Sequence, residues 1–222
     1  MWNNKLKALS FTFDDGLYDD IRLVEMFNRY NLKATFNINS GLFDAPNHLS
    51  ASEIVSLYKG HEIAGHTLTH PLLTELDDNT VLNEINGDIT NLEKLTGCEI
   101  TGFAYPCGGV NTNEHIINLI KTKTKIKYAR SNQMCHCFDL PEDLYYVKAS
   151  VHTWDFDRME QLGDAFIKLK TDKPQVFNIM GHSSEFNTLN AWDRFEKLLE
   201  KLSGKNDIYY ATNKQIYLNN EV

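Results

Sequence analysis

The chain has 222 residues, long enough for one sizeable core, and its 42% hydrophobic and 23% charged content is that of an ordinary globular protein. A formal charge of −8 excludes the basic patch that nucleic acid or an anionic membrane needs, and no apolar run approaches the roughly 20 residues of a membrane span. Neutral or cationic ligands suit such a surface better.

The N-terminal stretch MWNNKLKALSFTF lacks a basic head followed by an apolar segment of signal-peptide length. As it stands the sequence reads as cytoplasmic, or as secreted if a signal has been removed. One domain, 1–222, is expected. A strand over 6–13 leads into a helix whose Ile21, Val24, Phe27 and Tyr30 recur at helical spacing. KATFNIN, 33–39, is a second strand. Ser50 with Glu53 forms a capping box that opens a short helix, stopped by Gly60, before a third strand at 62–64. A longer helix starts near Asp78 with Val81, Leu82, Ile85, Ile89, Leu92 and Leu95 on one stripe, and Gly97 ends it. TGFAYP, 101–106, is a strand closed by Pro106, and Asn111 with Glu114 repeats the capping-box pattern. Shorter strands at 127–129 and 145–151, a helix over 158–169, the apolar strand QVFNIMGH at 175–182, a helix at 192–202 and a last strand at 208–211 complete the pass. Seven or eight strands alternating with helices describe β/α units around a largely parallel sheet.

Four polar clusters each follow directly on a predicted strand, and parallel strands open their C-terminal ends on one face. The adjacent acids Asp14 and Asp15 end the first strand. His66 and His70, in GHTLTHP, stand four apart, a spacing that brings two imidazoles to one side and supplies two neutral metal ligands, with a carboxylate needed as the third. The turn YPCGG and the histidine His182 are the others. The four cysteines make no CxxC pair; they read as free thiols, and Cys135-His136-Cys137 as a loop or edge strand.

TFDDG (12–16), HTLTH (66–70), FAYPCGG (103–109) and NIMGHS (178–183) together resemble, in order and spacing, the motifs of the polysaccharide deacetylases, the NodB-homology group or carbohydrate esterase family 4. The resemblance runs from about residue 8 to residue 212. It implies a distorted (β/α) barrel of about seven strands and a metal-dependent hydrolase that removes N-acetyl or O-acetyl groups from sugars. Position by position, it implies Asp14 as general base, Asp15, His66 and His70 as metal ligands, the Cys107 backbone N–H as oxyanion donor and His182 as general acid. Zinc suits two imidazoles and one carboxylate, and cobalt or nickel would also be served.

The chain also departs from that pattern. Ala104 stands where the family often has an arginine, three residues before the oxyanion position. HTWDFD, 152–157, carries Trp154 and Asp155 in the reverse of the usual order. Arg130 is the expected substitute for the arginine, paired with a site carboxylate. Tyr105, His152, Trp154 and Glu185 are the expected sugar contacts, and Met180 is expected to serve packing. An acetylated carbohydrate is the implied partner. An O-acetyl esterase or cyclic-amide hydrolase with the same site, or a carbohydrate-binding barrel that has lost catalysis, remain open at this point.

Overall fold

The computed structural model describes residues 2–107 and 111–218. Gly108 and Gly109 of the YPCGG turn lie outside the described residues. The strands are β1 (Lys7–Asp14), β2 (Ala34–Ile38), β3 (Glu62–Gly65), β4 (Gly102–Ala104), β5 (Tyr128–Met134), β6 (Val147–Ala149), β7 (Val151–His152), β8 (Gln175–Gly181) and β9 (Ile208–Tyr210). The helices are α1 (Asp20–Arg29), α2 (Ala51–Leu57), α3 (Asp78–Thr96), α4 (Glu114–Lys123), α5 (Phe156–Lys168), α6 (Glu185–Thr188), α7 (Trp192–Leu202) and α8 (Asn213–Tyr217).

All pairings between the named strands are parallel, in the order β6-β5-β4-β3-β2-β1-β8-β7. Only Ser150 separates β6, on one edge, from β7, on the other, and its N–H donates to Asn178 O at 2.8 Å. The sheet is thereby a nearly closed barrel. β9 makes the ninth strand, one or two more than expected, and pairs with the first half of β1 while β2 takes the second half. Two of the short helices, α6 and α8, carry too few turns to show periodicity in sequence.

Every residue of β1 is buried, as a parallel strand covered on both faces requires. Leu9, Phe11 and Phe13 point outward to the helices, where Phe27, Phe36, Phe186 and Phe195 join one aromatic cluster with centroid spacings such as 4.8 Å for Phe11–Phe27 and 4.4 Å for Phe186–Phe195. Burying each such side chain contributes roughly 1.5–3 kcal/mol. The alternate residues Ala8, Ser10, Thr12 and Asp14 face the barrel interior. That interior is polar. Its lower end is plugged by α8: Asn213 Oδ1 accepts from Ser10 Oγ at 2.6 Å and from Asn178 Nδ2 at 2.8 Å.

Among the described residues, side-chain caps open five of the eight helices. Ser50 and Glu53 form their box, Asp77 caps α3, and Gly97 ends α3 at φ 68°. Asn111 is not the cap of α4. Asn113 takes that place, its side chain accepting from Ile116 N–H at 2.9 Å, and Asn111 is drawn instead into a buried clamp. Among the described residues no helix is long and apolar enough to cross a membrane.

Candidate active site

The C-terminal ends of the strands surround a cleft of about 430 Å³ lined by Asp14, His66, His70, Cys107, His152 and His182 among others. Asp14 is the last residue of β1, and the chain then turns through Asp15 at φ 80° and Gly16 at φ 71°. That left-handed turn splits the two acids. Asp14 stays in the barrel wall, while Asp15 swings toward the histidine loop, so the like charges meet different partners.

His66 follows β3 and is buried; its Nδ1 lies 2.8 Å from Ala104 O. The carbonyl can only accept, so Nδ1 carries the proton and the Nε2 lone pair faces the cleft. Burial keeps this imidazole below its ordinary pKa and hence neutral. Nε2 of His66 and Nε2 of His70 stand 3.6 and 3.7 Å from Asp15 Oδ1. Donor atoms on one tetrahedral zinc stand about 3.3 Å apart, given Zn–N and Zn–O lengths near 2.0–2.1 Å. Asp15 Oδ1 is moreover buried with no hydrogen-bond partner among the described residues. The three donors thus fit a divalent ion.

Thr67 (φ 70°), His70 (φ 60°) and Cys107 (φ 61°) are, like Asp15, left-handed without being glycine. Such strain costs about 1–3 kcal/mol per residue and persists only where surrounding contacts impose it. Those contacts are visible. Asp88 on α3 accepts the His66 and Ser40 N–H groups at 2.9 and 2.8 Å. Asn39 donates to the His66 and Thr67 carbonyls. Asn111, fully buried, accepts from Leu73 N–H and donates to the Pro71 and Pro106 carbonyls, tying the loop of His70 to that of Cys107. Cys107 N–H points at His70 Nε2 from 3.4 Å, into the ligand cluster.

Arg130 stands on β5 in register with Ala104 of β4. The guanidinium therefore enters the same interior layer from one strand over. Its Nη2 lies 2.5 Å from both Asp14 oxygens, and Asn37 Nδ2 donates to Asp14 Oδ1 at 2.7 Å. Burial opposes the charge of Asp14, but Arg130, with His66 and His182 nearby, holds the carboxyl well below the usual carboxylate range. Met180 does more than pack: its sulfur meets Arg130 Nη1 at 3.4 Å.

Across the cleft His182 directs Nε2 toward Asp15 Oδ2 at 3.7 Å and Nδ1 toward Glu185 Oε1 at 2.9 Å. Burial works against the imidazolium, but the Glu185 hydrogen bond and the charges of Asp14 and Asp15 raise His182 to about 9. Glu185, read from sequence as a sugar contact, is thus turned inward to His182 and Thr153 Oγ1. Asp155 does not orient His182; it caps α5 through Arg158 N–H at 3.1 Å. His152 is buried, which lowers it to about 4, and it stacks on Trp154 with centroids 4.0 Å apart. Trp154 is 62% exposed and offers its outer face to the cleft rim. Tyr105 is buried with its hydroxyl committed to Tyr145 O at 2.9 Å, so it forms cleft wall rather than an open platform.

Asn37, Asn39 and Asp88 escaped the sequence reading, and Asn111 entered it only as a helix cap. A signal existed for three of them: two asparagines alternate through the apolar strand KATFNIN, and Asp88 interrupts the buried stripe of α3 between Ile85 and Ile89.

The family model for "Polysaccharide deacetylase" matches residues 3–124. The peptidoglycan-N-acetylmuramic acid deacetylase PdaC of Bacillus subtilis is 31% identical over 107 residues, which are 47% of this chain and 22% of that protein. The bifunctional xylanase/deacetylase of Pseudobutyrivibrio xylanivorans is 32% identical over 116 residues, 49% of this chain and 18% of that protein. The match thus spans about a fifth of each relative's length. In fold, the chain is similar to the PdaC structure, with a TM-score of 0.60 at 19% identity over 96% of this chain and 90% of that one. The Xyl-CE4 domain of a multidomain xylanase from the hindgut metagenome of Trinervitermes trinervoides gives 0.65 at 15% identity over 98% and 92%. With more than half of its length matched by the family model and its barrel shared with these structures, the chain belongs to the polysaccharide deacetylase family.

Proposed function

We propose that this chain is a single-domain, metal-dependent hydrolase that removes N-acetyl groups from acetamido sugars in a poly- or oligosaccharide, peptidoglycan among the substrates to be tried. The observation that carries this reading is the pairing of Arg130 with Asp14 beside the Asp15–His66–His70 cluster. The absence of an arginine at position 104 was the feature that favoured a carbohydrate-binding barrel without catalysis. Arg130, in register with Ala104, supplies a guanidinium to the base and removes that objection.

Asp15, His66 and His70 would hold the ion, zinc by preference, and such an ion, when bound, lowers the pKa of its water to about 7 and polarises an acyl oxygen. Asp14 stays ionised and is fixed by three hydrogen bonds, so it serves as the base that takes the proton of the attacking water. Cys107 N–H, which points into the ligand cluster toward His70 Nε2, would serve as the oxyanion donor once an ion holds that nitrogen; one such donor is worth about 3–4 kcal/mol. His182, protonated and held by Glu185, delivers a proton to the leaving sugar nitrogen, a contribution of about 10²–10⁴ in rate. Trp154 provides an apolar ring face at the rim for a sugar.

Acetate release from N-acetylated chitooligosaccharide, peptidoglycan and acetylxylan by the zinc-loaded protein tests the proposal. Release from the first or second, lost on chelation and in Asp14→Asn, is expected. Release from acetylxylan alone would reassign the chain to O-acetyl esters, and bound zinc without release from any of the three would overturn the enzyme reading.

A further inference from the structure

His182 faces the Asp15 cluster through Nε2 and belongs through Nδ1 to a second donor cluster, which the function above uses only to hold a proton. His152, His182 and Glu185 bring a second set of ligand atoms within 4.8 Å of one another. Glu185 Oε1 lies 2.9 Å from His182 Nδ1, and Oε2 lies 3.5 Å from His152 Nδ1. Each histidine thus has one Glu185 oxygen near the roughly 3.3 Å expected between donors on one tetrahedral zinc, and the three donor atoms together stay within 4.8 Å.

The cluster is held in place from outside. Thr153 Oγ1 donates to the Glu185 carboxylate, and Trp154 stacks on the His152 ring at 23° between planes. Trp154 N–H also points at His152 Nδ1 from 3.3 Å. That nitrogen therefore carries its lone pair on the side of the Trp154 N–H and Glu185 Oε2, and an ion there would take the lone pair in place of the long N–H contact.

We propose that His152, His182 and Glu185 form a second, weaker zinc site whose occupancy inhibits the enzyme. An ion at His182 Nδ1 displaces the proton there to solvent and takes over the carboxylate oxygen that orients the ring. The imidazolium is then replaced by an imidazole bound to the ion through Nδ1, and its remaining Nε2–H, turned toward Asp15, is a weaker acid for the leaving nitrogen. The binding site stands apart from the reaction assigned above; only the inhibition rests on that reading.

Zinc stoichiometry by equilibrium dialysis and elemental analysis tests the site, in a background with Cys135→Ser and Cys137→Ser so that those free thiols take no ion. Two ions per chain of unequal affinity are expected, with the weaker one lost in His152→Ala and in Glu185→Gln. It is retained when Asp15→Asn and His70→Ala together remove the tighter one. Acetate release, followed along the same titration, is expected to rise with the first ion and fall about 10²-fold with the second. A single ion at every zinc concentration, or a second ion that survives His152→Ala, overturns the site. A second ion that binds without slowing release overturns the inhibition. A protein that releases no acetate at any zinc level fails the proposed function, while the dialysis arms still read the second site.

Discussion

Asp14 and Glu62 both place a carboxylate inside the barrel, one at the C-terminal end of β1 and the other at the N-terminal end of β3. Their partners differ in kind. Asp14 meets a guanidinium at 2.5 Å and an amide at 2.7 Å beneath an open cleft. Glu62 meets the hydroxyls of Thr35 and Tyr128 and the Lys214 N–H, each at 2.8 Å, beside α8. Gly102 belongs to this second arrangement, since a Cβ there would overlap the Tyr128 hydroxyl. The result is opposite titration. Arg130 drives Asp14 well below the usual carboxylate range, whereas burial, only partly offset by the neutral donors and the more distant Lys214 charge, pushes Glu62 above it. A buried ion pair is a poor source of net stability, because desolvation of both charges consumes the attraction. The lower end needs only a hydrogen-bonded plug; the upper end, on the function proposed above, needs a group that stays ionised beside a reacting water.

That contrast breaks most visibly at Arg130. Arg130→Met strands an unpaired charge on buried Asp14, and a loss of about 3–5 kcal/mol is expected in urea unfolding of chelated protein, with acetate release at background. Adding Asp14→Leu removes the second charge, and the double variant is expected to recover stability to within about 1 kcal/mol of the parent or above it while remaining inactive. A double variant as unstable as the single would show that Arg130 supports the barrel by packing and that the upper end is built for stability after all.

The clamp at Asn111 is expected to give the next largest effect. Asn111→Ala leaves the Leu73 N–H and the Pro106 carbonyl without their buried partner, at about 1–3 kcal/mol. Because the loops it joins carry His70 and Cys107, zinc affinity at the Asp15 cluster is expected to fall about 10–100-fold in competition with a chelator. Unchanged affinity with reduced stability would confine Asn111 to scaffolding.

Much of this molecule was legible from local pattern alone. The strand and helix periods, the caps at Ser50 and Gly97, and the four polar clusters at strand ends are properties of residues near one another in sequence. The exchange of partners between Ala104 and Arg130 is of another kind, since it depends on β4 and β5 being neighbours in one particular register. Sequence distance hides that register, although the missing arginine itself, with Arg130 just after a predicted strand, pointed to the substitute. Glu185 was visible only as a polar residue past His182; that it faces His182 and His152 at once follows from α6, one turn of helix too short to leave a period. Asn111 misled for a related reason. Two asparagines, at 111 and 113, precede the same helix, and the local cap pattern cannot tell which is claimed by loops some 40 positions away.

The smallest expected effect sharpens the comparison from below. Glu62 has its pKa raised above 4.5 in the folded chain, so the folded state binds its proton more tightly than the unfolded state does. Stability from this group is therefore full below about pH 4.5 and declines as pH climbs toward the raised value. Glu62→Gln keeps an acceptor for Thr35 Oγ1 and Lys214 N–H and offers an amide to the Tyr128 oxygen, so little is lost at acid pH. Once the carboxylate would have ionised, the glutamine avoids a buried charge that no cation among the described residues meets at ion-pair distance. Urea midpoints followed from pH 4.5 to 8 should fall less steeply in Glu62→Gln than in the parent, with acetate release unchanged. An identical pH slope would mean that Lys214, whose backbone already binds Glu62, also neutralises it, and the two ends of the barrel would then hold their carboxylates by the same means.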